Sequence, residues 1–340
     1  MRPGSLRFNP KRSEIKPLIT LGHLSDLHAT DPSRASLAAL SSKRFFGWLS
    51  WNLRRSRLYK REIATALLDD LKREAPDHVA VTGDLINISL PAEFKAAAGI
   101  LRALGTPDWV TLVPGNHDAY VDMPFERAWA HWSSYLESDP AEIEDVSDSA
   151  RTSHYPNAFS FPGRLPSVRI RGDLALVGVC TALPTKPFIA GGKVGSGQLE
   201  QLESTLETLR ARDLCRVVLI HHPVVDGHVA KRRRLSDSAA LREVLERAGA
   251  ELVIHGHNHR SEFKSLAGRD GEIPVVGVRS GSYGGPNPKK TAQYHIYQLE
   301  RATPDTGLRF QVSLRVREWD ARARTFVEVG EPRALPLRKG

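Results

Sequence analysis

The stretch WVTLVPGNHD, Trp109 to Asp118, decides how this chain folds. Its first five residues form an apolar run short enough for a strand, and Pro114-Gly115 then ends that run. Asn116, His117 and Asp118 follow at once, three side chains able to bind a metal or move a proton. Four other stretches share the plan. Ile15 to Ser25 runs into Asp26-Leu27-His28, and Asp77 to Thr82 into Gly83-Asp84. Arg216 to Ile220 runs into His221-His222-Pro223, and Glu251 to Ile254 into His255-Gly256-His257-Asn258-His259. Residues far apart in sequence can therefore arrive at one edge of one sheet.

Helical periodicity fills the intervals, at Tyr59 to Glu74, Ala92 to Leu104, Phe125 to Glu137, Gly197 to Arg212 and Asp237 to Ala248. Ser196 and Ser236 suit cap positions, and Gly249 falls where a helix C-cap is expected. Strands alternating with helices predict an α/β layered domain. After Gly271 the pattern changes to strands alone, at Ile273 to Arg279, Tyr294 to Glu300, Leu308 to Trp319 and Thr325 to Val329. These read as antiparallel strands added to a second sheet. With no internal repeat and no low-complexity linker, one domain over 15–330 is expected, with insertions near 31–60 and 139–171. Long segments that follow motif-bearing strands shape access to a site.

Hydrophobic residues make up 41% of the 340 and charged residues 26%, which excludes a disordered chain. The two cysteines, Cys180 and Cys215, each lie in an apolar run, so no disulfide framework builds the fold. There is no apolar h-region near Met1 and no uninterrupted apolar run of roughly 18 residues, so the expected location is the cytoplasm. A net charge of +9 favours an anionic partner.

Asp, Asn and neutral His supply oxygen and nitrogen donors without thiolate, a set suited to Mn, Fe or Zn. Asp26, His28, Asp84, Asn116, His221, His257 and His259 are too many for one zinc, which usually takes about four. Two divalent ions sharing one carboxylate would use them all, and Asp84, alone in its cluster, is the natural bridge. Ions roughly 3.5–4 Å apart can clamp both oxygens of an in-line displacement at phosphorus and ionise a bridging water. His117 is the expected catalytic acid or transition-state donor, with Asp118 the carboxylate beside it that orients the ring. His23 and His255 are read as buried, hydrogen-bonded residues outside the site.

The blocks DLH, GD, GNHD, HHP and GHNH, in this order between Asp26 and His259, resemble the calcineurin-like metallophosphoesterase family. The resemblance implies a four-layer αββα sandwich of two mixed β-sheets with a dinuclear site at the strand ends. It implies that Asp26, His28, Asp84 and His259 hold one metal and Asp84, Asn116, His221 and His257 the other, with His117 the catalytic histidine. His221 is the implied ligand of the fourth block. His222 stays the alternative, since neighbouring strand residues face opposite ways.

The substrate expected is an anionic phosphoester, a phosphodiester or diphosphate. The segment Lys43 to Arg61, KRFFGWLSWNLRRSRLYKR, has a broad apolar face of Phe45, Phe46, Trp48, Leu49 and Leu53 opposite Lys43, Arg44, Arg54 and Arg55. Two readings stand, a helix packed on the domain's own core or an element contacting membrane lipid, peripheral to the inner membrane. Its position between the first two motifs is similar to that in hydrolases of UDP-2,3-diacylglucosamine, and a soluble cyclic nucleotide phosphodiesterase is the competing substrate class. A non-catalytic binding module on the same fold would be expected to have lost ligands. A nuclease would need a nucleic-acid module that the sequence lacks. Lys231 to Arg234 reads as a solvated charge run or as a clamp for an anionic substrate, and Gly281 to Lys290, GSYGGPNPKK, as a flexible loop.

Overall fold

The computed structural model describes residues 19–40, 43–144, 165–225, 229–303, 306 and 308–336. In chain order the strands are β1 (Ile19–Leu24), β2 (His78–Val81), β3 (Val110–Leu112), β4 (Ser167–Arg171), β5 (Leu174–Val179), β6 (Cys215–Ile220) and β7 (Leu252–His255). They continue with β8 (Glu262–Gly268), β9 (Gly271–Gly277), β10 (Gln293–Arg301), β11 (Phe310–Asp320), β12 (Thr325–Glu328) and β13 (Arg333–Leu335). The helices are α1 (Lys43–Leu53), α2 (Arg61–Glu74), α3 (Pro91–Leu104), α4 (Ala141–Glu144), α5 (Ser196–Ala211) and α6 (Ser238–Ala248).

Two sheets result. One runs β12-β11-β10-β1-β2-β3, with β13 paired to β11, and the other β4-β5-β6-β7-β9-β8. Each mixes a parallel run, β1-β2-β3 or β5-β6-β7-β9, with antiparallel strands. Parallel neighbours bring their carboxyl ends to the same edge, and that is where ligands gather in layered α/β folds. The five clusters accordingly come from two sheets, three after β1, β2 and β3 and two after β6 and β7, rather than from one sheet.

Alternation along each strand explains why the sheets stack. In β6, Val217 and Leu219 face the other sheet, where Leu21, Ala80 and Tyr297 meet them. Val218 and Ile220 face the opposite way, onto Leu202 and Leu206 of α5 and Leu241 and Leu245 of α6. A strand covered on both faces must be apolar at every position, which is why it reads as a continuous run. The outer face of the first sheet carries Val79 and Val81 against Leu67 and Leu71 of α2 and Phe94 and Leu101 of α3. The order of layers is helix, sheet, sheet, helix. Each fully buried leucine in this stack contributes about 1.5–3 kcal/mol relative to exposure.

Several sequence expectations are corrected. The strands after residue 290 extend the first sheet, not the second: β10 pairs antiparallel with β1, and β11 and β12 follow outward. β9 alone of that group joins the second sheet, beside β7. Phe125 to Glu137 is not an α-helix but two 3-10 segments, Phe125–Arg127 and Trp129–Tyr135, with a break at Trp132 (φ −141°). Trp129, Trp132 and Tyr135 are all buried. A spacing of three brings side chains to one face in a 3-10 helix but fans them out in an α-helix. Helix α2 starts at Arg61 rather than Tyr59, because Tyr59 is held in a bridge to Tyr283 and Lys60 is extended. Part of the insertion near 139–171 is ordered as β4, and residues 145–164 of it, like residues 15–18 of the first strand, lie outside the described residues.

Candidate metal centre

Beyond their strands the motif loops turn sharply. Asp26 (φ 53°), His28 (φ 43°), Asp84 (φ 57°), His257 (φ 68°) and His259 (φ 51°) all adopt the left-handed backbone region. They are half of the ten non-glycine residues with positive φ among those described. Such a conformation costs on the order of 1–3 kcal/mol at each position and persists only where the surroundings enforce it. Here the loops brace one another. Asp26 N donates to Gly83 O (2.9 Å), His28 N to Asp84 O (3.0 Å) and Gly256 N to His221 O (3.2 Å). His257 N donates to Asp26 Oδ2 at 2.9 Å, tying the second sheet to the first. A Cβ on Gly115 would strike the Asp84 carboxylate and backbone, and one on Gly256 the Ser25 side chain.

Four histidines are oriented by the same device, one ring nitrogen fixed by a neighbour and the other turned to a common centre. His28 Nδ1 donates to Ile86 O (3.1 Å), and its buried Nε2 has no hydrogen-bond partner. His221 Nδ1 donates to Thr82 O (2.6 Å), leaving Nε2 3.5 Å from Asp84 Oδ2 and 3.2 Å from Asn116 Oδ1. His257 is reversed: Nε2 donates to Arg233 O (3.0 Å), and Nδ1 lies 3.3 Å from His221 Nε2. His259 Nδ1 meets the Tyr59 hydroxyl at 3.1 Å, and Nε2 lies 3.0 Å from Asp26 Oδ1. Fixing the far nitrogen in this way sets the tautomer and aim of a metal-ligating imidazole.

The seven sequence candidates are thus brought together, and their chemistry fits a pair of hard cations. Ligand atoms of Asp26, His28 and His259 lie within 4.8 Å of one another, as do those of Asp26, Asp84 and His221. Asp84 Oδ2 stands between the groups, 3.9 Å from His28 Nε2 and 3.5 Å from His221 Nε2. Two buried carboxylates side by side demand positive charge. The demand registers on His221: burial alone would depress its ring, but the Asp84 and Asp26 carboxylates lift it to about 9. An orphaned imidazole nitrogen, oxygen-rich partners and the absence of thiolate suit Mn, Fe or Zn.

His222 is held by different partners, although one of its ring nitrogens lies within 4.8 Å of ligand atoms of His221 and His257 and its ring centroid is 4.5 Å from that of His257. The Nδ1 of His222 lies 2.7 Å from Thr181 Oγ1, its Nε2 donates to Ala190 O at 3.3 Å, and its ring is perpendicular to that of His221. His23 meets Thr82 Oγ1 at 2.9 Å, and His255 Nδ1 donates to Gly256 O at 3.0 Å.

His117 borders the centre, its ring 4.8 Å from that of His28 and stacked on Tyr120. Nδ1 donates to Asn87 O (2.5 Å), and Nε2 accepts from Arg55 Nη1 (3.1 Å). Burial, and then the Arg55 guanidinium, hold this ring down to about 3. Asp118 does not orient it. The Asp118 carboxylate faces away and accepts from the backbone N–H groups of Asp84 (2.7 Å), Gly115 (2.9 Å) and Leu85 (3.0 Å). It pins the second cluster to the third, and the orienting group on His117 is the Asn87 carbonyl.

Three neighbours escaped sequence reading. Arg55 and Tyr59 lie in the basic segment whose role was open, and their approach to His117 and His259 depends on how that segment is laid over the site. Asn87 acts through its backbone, which carries no sequence signal. The segment itself packs inward through Trp51, which is 5% exposed and donates to Asp31 Oδ1 (2.9 Å), and through Trp48, which donates to Ser33 O (3.1 Å). Phe45, Phe46, Leu49 and Leu53 remain exposed. The loop at 281–290 is a buttress: Ser282 Oγ donates to Leu27 O (2.5 Å), and Ser280, just before it, to Asp26 O (2.6 Å). Between these elements opens a cleft of about 310 Å³, reaching Asp84, Asn116 and His117.

The sequence pattern of the calcineurin-like phosphoesterases matches residues 19–261, and the chain belongs to that family. The family's name carries the reaction class, hydrolysis of phosphoesters. A stretch of 46 residues is 48% identical to the glycerophosphodiester phosphodiesterase GpdQ of Enterobacter lignolyticus (strain SCF1), spanning 14% of this chain and 16% of that protein. Among solved structures, a dimetal phosphatase from Danio rerio superposes with a TM-score of 0.55 at 12% identity, covering 95% of this chain and all of that one. At that identity the likeness concerns the fold, the two-sheet α/β sandwich described above.

Proposed function

We propose that this chain is a dinuclear metal-dependent phosphodiesterase of one domain over 15–330, with Asp26, His28, Asp84 and His259 around one divalent ion and Asp84, Asn116, His221 and His257 around the other. The observation that carries the reading is the convergence of four histidines, each with its far nitrogen fixed, on two buried carboxylates. Ions held by these residues, Mn, Fe or Zn, would supply positive charge for the scissile phosphate and would lower the pKa of a water toward neutrality. The protein supplies orientation and proton handling. With Nδ1 held on the Asn87 carbonyl, His117 offers only Nε2 to a substrate, and an oxyanion developing beside it favours a proton on that atom. Arg55 Nη1, already 3.1 Å from Nε2, is placed to donate to the same phosphate. Asp118 keeps the Gly83-Asp84 loop in register through its three shortest backbone contacts.

A phosphodiester substrate is supported by the similarity of one stretch to a glycerophosphodiester phosphodiesterase. The purified chain should bind metal and hydrolyse bis(p-nitrophenyl) phosphate when Mn is supplied. Neither bound metal nor turnover would leave a binding module on the same fold.

One observation favours an amphiphilic substrate, such as a nucleotide-linked lipid met at a membrane surface by a cytoplasmic protein. Phe45, Phe46 and Leu53 are exposed together with Phe188, whose ring lies 5.0 Å from that of Phe46. No helix among the described residues is long and apolar enough to cross a membrane, so such contact would be interfacial. Flotation with anionic liposomes tests it. Binding should weaken in Phe46→Ser/Phe188→Ser, and equal flotation of variant and parent would retire the interfacial reading.

A further inference from the structure

Three segments carry basic side chains for which the metal centre has no role, and each lends a cation to the lining of the cleft. Arg54 follows α1, Arg233 closes the 3-10 turn Lys231–Arg233, and Lys290 closes the turn Pro288–Lys290. None of the three pairs with a carboxylate among the described residues. Arg233 Nη2 donates to the His257 carbonyl at 2.8 Å, which fixes the guanidinium beside the ligand loop without neutralising it. Several arginines on the flanks of the sheets are closed by a carboxylate instead. Arg216 meets Glu251 at 2.8 Å, Arg317 meets Asp70 at 2.8 Å, Arg210 meets Asp270 at 2.7 Å and Arg315 meets Glu328 at 2.6 Å.

Gathering like charges without counter-ions raises the energy of the protein alone and lowers it when an anion arrives. Burial, followed by the charges of Arg260, Arg233 and Arg54, depresses the Lys290 ammonium accordingly. Arg55 already stands at His117, so the scissile phosphate has its own cation, and Arg54, Arg233 and Lys290 are surplus to it. The cleft volume, about 310 Å³, is in the range of small-molecule sites.

We propose that Arg54, Arg233 and Lys290 form a second anion subsite that holds a phosphate other than the one hydrolysed, so that the substrate is a small diester carrying two phosphates. This deepens the phosphodiesterase reading and rests on it for which phosphate is cut. Arg54 is exposed and Lys290 half-buried, so both can change without disturbing the core.

Binding measured by calorimetry on the full chain tests the subsite apart from turnover. UDP-glucose, with two phosphates, should bind about tenfold more tightly than the dinucleoside monophosphate UpU, the scale of two partly exposed charge contacts. That ratio should fall to near one in Arg54→Gln/Lys290→Gln and shrink in high salt. Arg247→Gln, a charge removed at a distant exposed pair with Glu203, should leave the ratio unchanged. Equal affinities in the parent chain, failure to bind UDP-glucose, or a ratio that survives the double substitution would each overturn the subsite. Hydrolysis of bis(p-nitrophenyl) phosphate with Mn is read in parallel. Its absence removes the phosphodiesterase reading, while the ratio of dissociation constants still decides the subsite.

Discussion

Arg216 and Arg55 show two uses of the same side chain. Arg216, fully buried at the start of β6, is satisfied on every side: Nε and Nη2 donate to the Glu251 carboxylate at 3.0 and 2.8 Å, and Nη1 to Ala248 O at 2.9 Å. Arg55 lies at the cleft with a buried Nε that has no partner, one contact to a neutral imidazole and a tyrosine ring 5.1 Å from its guanidinium. The flank of the sheets therefore closes its charges and the cleft leaves them open. Closed pairs hold strands and helices in register. Open ones raise the local potential where an anion must bind. Changes in the cleft should then cost activity more than stability, and changes on the flank the reverse.

The largest effect is expected at Asp84. In Asp84→Asn, metal measured by elemental analysis and hydrolysis of bis(p-nitrophenyl) phosphate should be lost together. The metal-free variant should melt lower than its metal-free parent at neutral pH: burial alone would raise the Asp84 carboxyl, but His221 and then His117 hold it well below the usual carboxylate range, and that stabilisation goes with the charge. Full metal content in the variant would remove Asp84 as the shared ligand.

His117→Ala should keep its metal and lose on the order of 10²–10⁴-fold in kcat, the range for a positioned acid–base group. Unchanged kcat would take His117 out of the reaction. Asp118→Ala separates two neighbours in sequence. Its loss should fall on metal content and thermal stability, since its carboxylate accepts from backbone N–H groups and never meets the His117 ring.

That pair marks how far sequence reading reaches. Asp118 and His117 are adjacent, and adjacency predicted a partnership that the backbone turn undoes by sending the two side chains apart. The strand ends were legible because an apolar run, a turn residue and a polar cluster are local signals. The seven candidate ligands come together because each sits just past such an end. The destination of β10, β11 and β12 was not legible, since pairing with β1 is settled by contacts across the whole chain. Nor was the 3-10 path of Trp129 to Tyr135, where a spacing of three competes with helical spacing over a few residues. Arg55 and Tyr59 reach the site only after a long insertion has folded over it, and Asn87, three residues past Asp84, acts through its backbone carbonyl, which no side chain signals.

On the flank, Glu251→Ala should cost about 3–5 kcal/mol, the penalty for stranding a buried charge. The lower end is expected because Asp270 Oδ2 remains 3.5 Å from Arg216 Nη2. Urea unfolding measures the loss, and kcat on bis(p-nitrophenyl) phosphate should hold at temperatures where the variant stays folded. An activity loss with full stability would contradict the division between flank and cleft.

Tyr294→Phe tests the same division at its gentlest point. The Tyr294 hydroxyl donates to Asp70 Oδ2 at 2.6 Å, but Asp70 also receives Arg317 at 2.8 Å and Arg73 at 2.8 Å. Removing the hydroxyl therefore leaves the buried carboxylate paired, and the ring keeps its packing against Phe326. Only one charge-assisted bond is lost, so the cost should be about 1–2 kcal/mol in urea unfolding, with metal content and kcat unchanged. A loss as large as that of Glu251→Ala would mean that the tyrosine, rather than the arginine, closes the charge on Asp70, and closed pairs on this flank would then depend on networks instead of single partners.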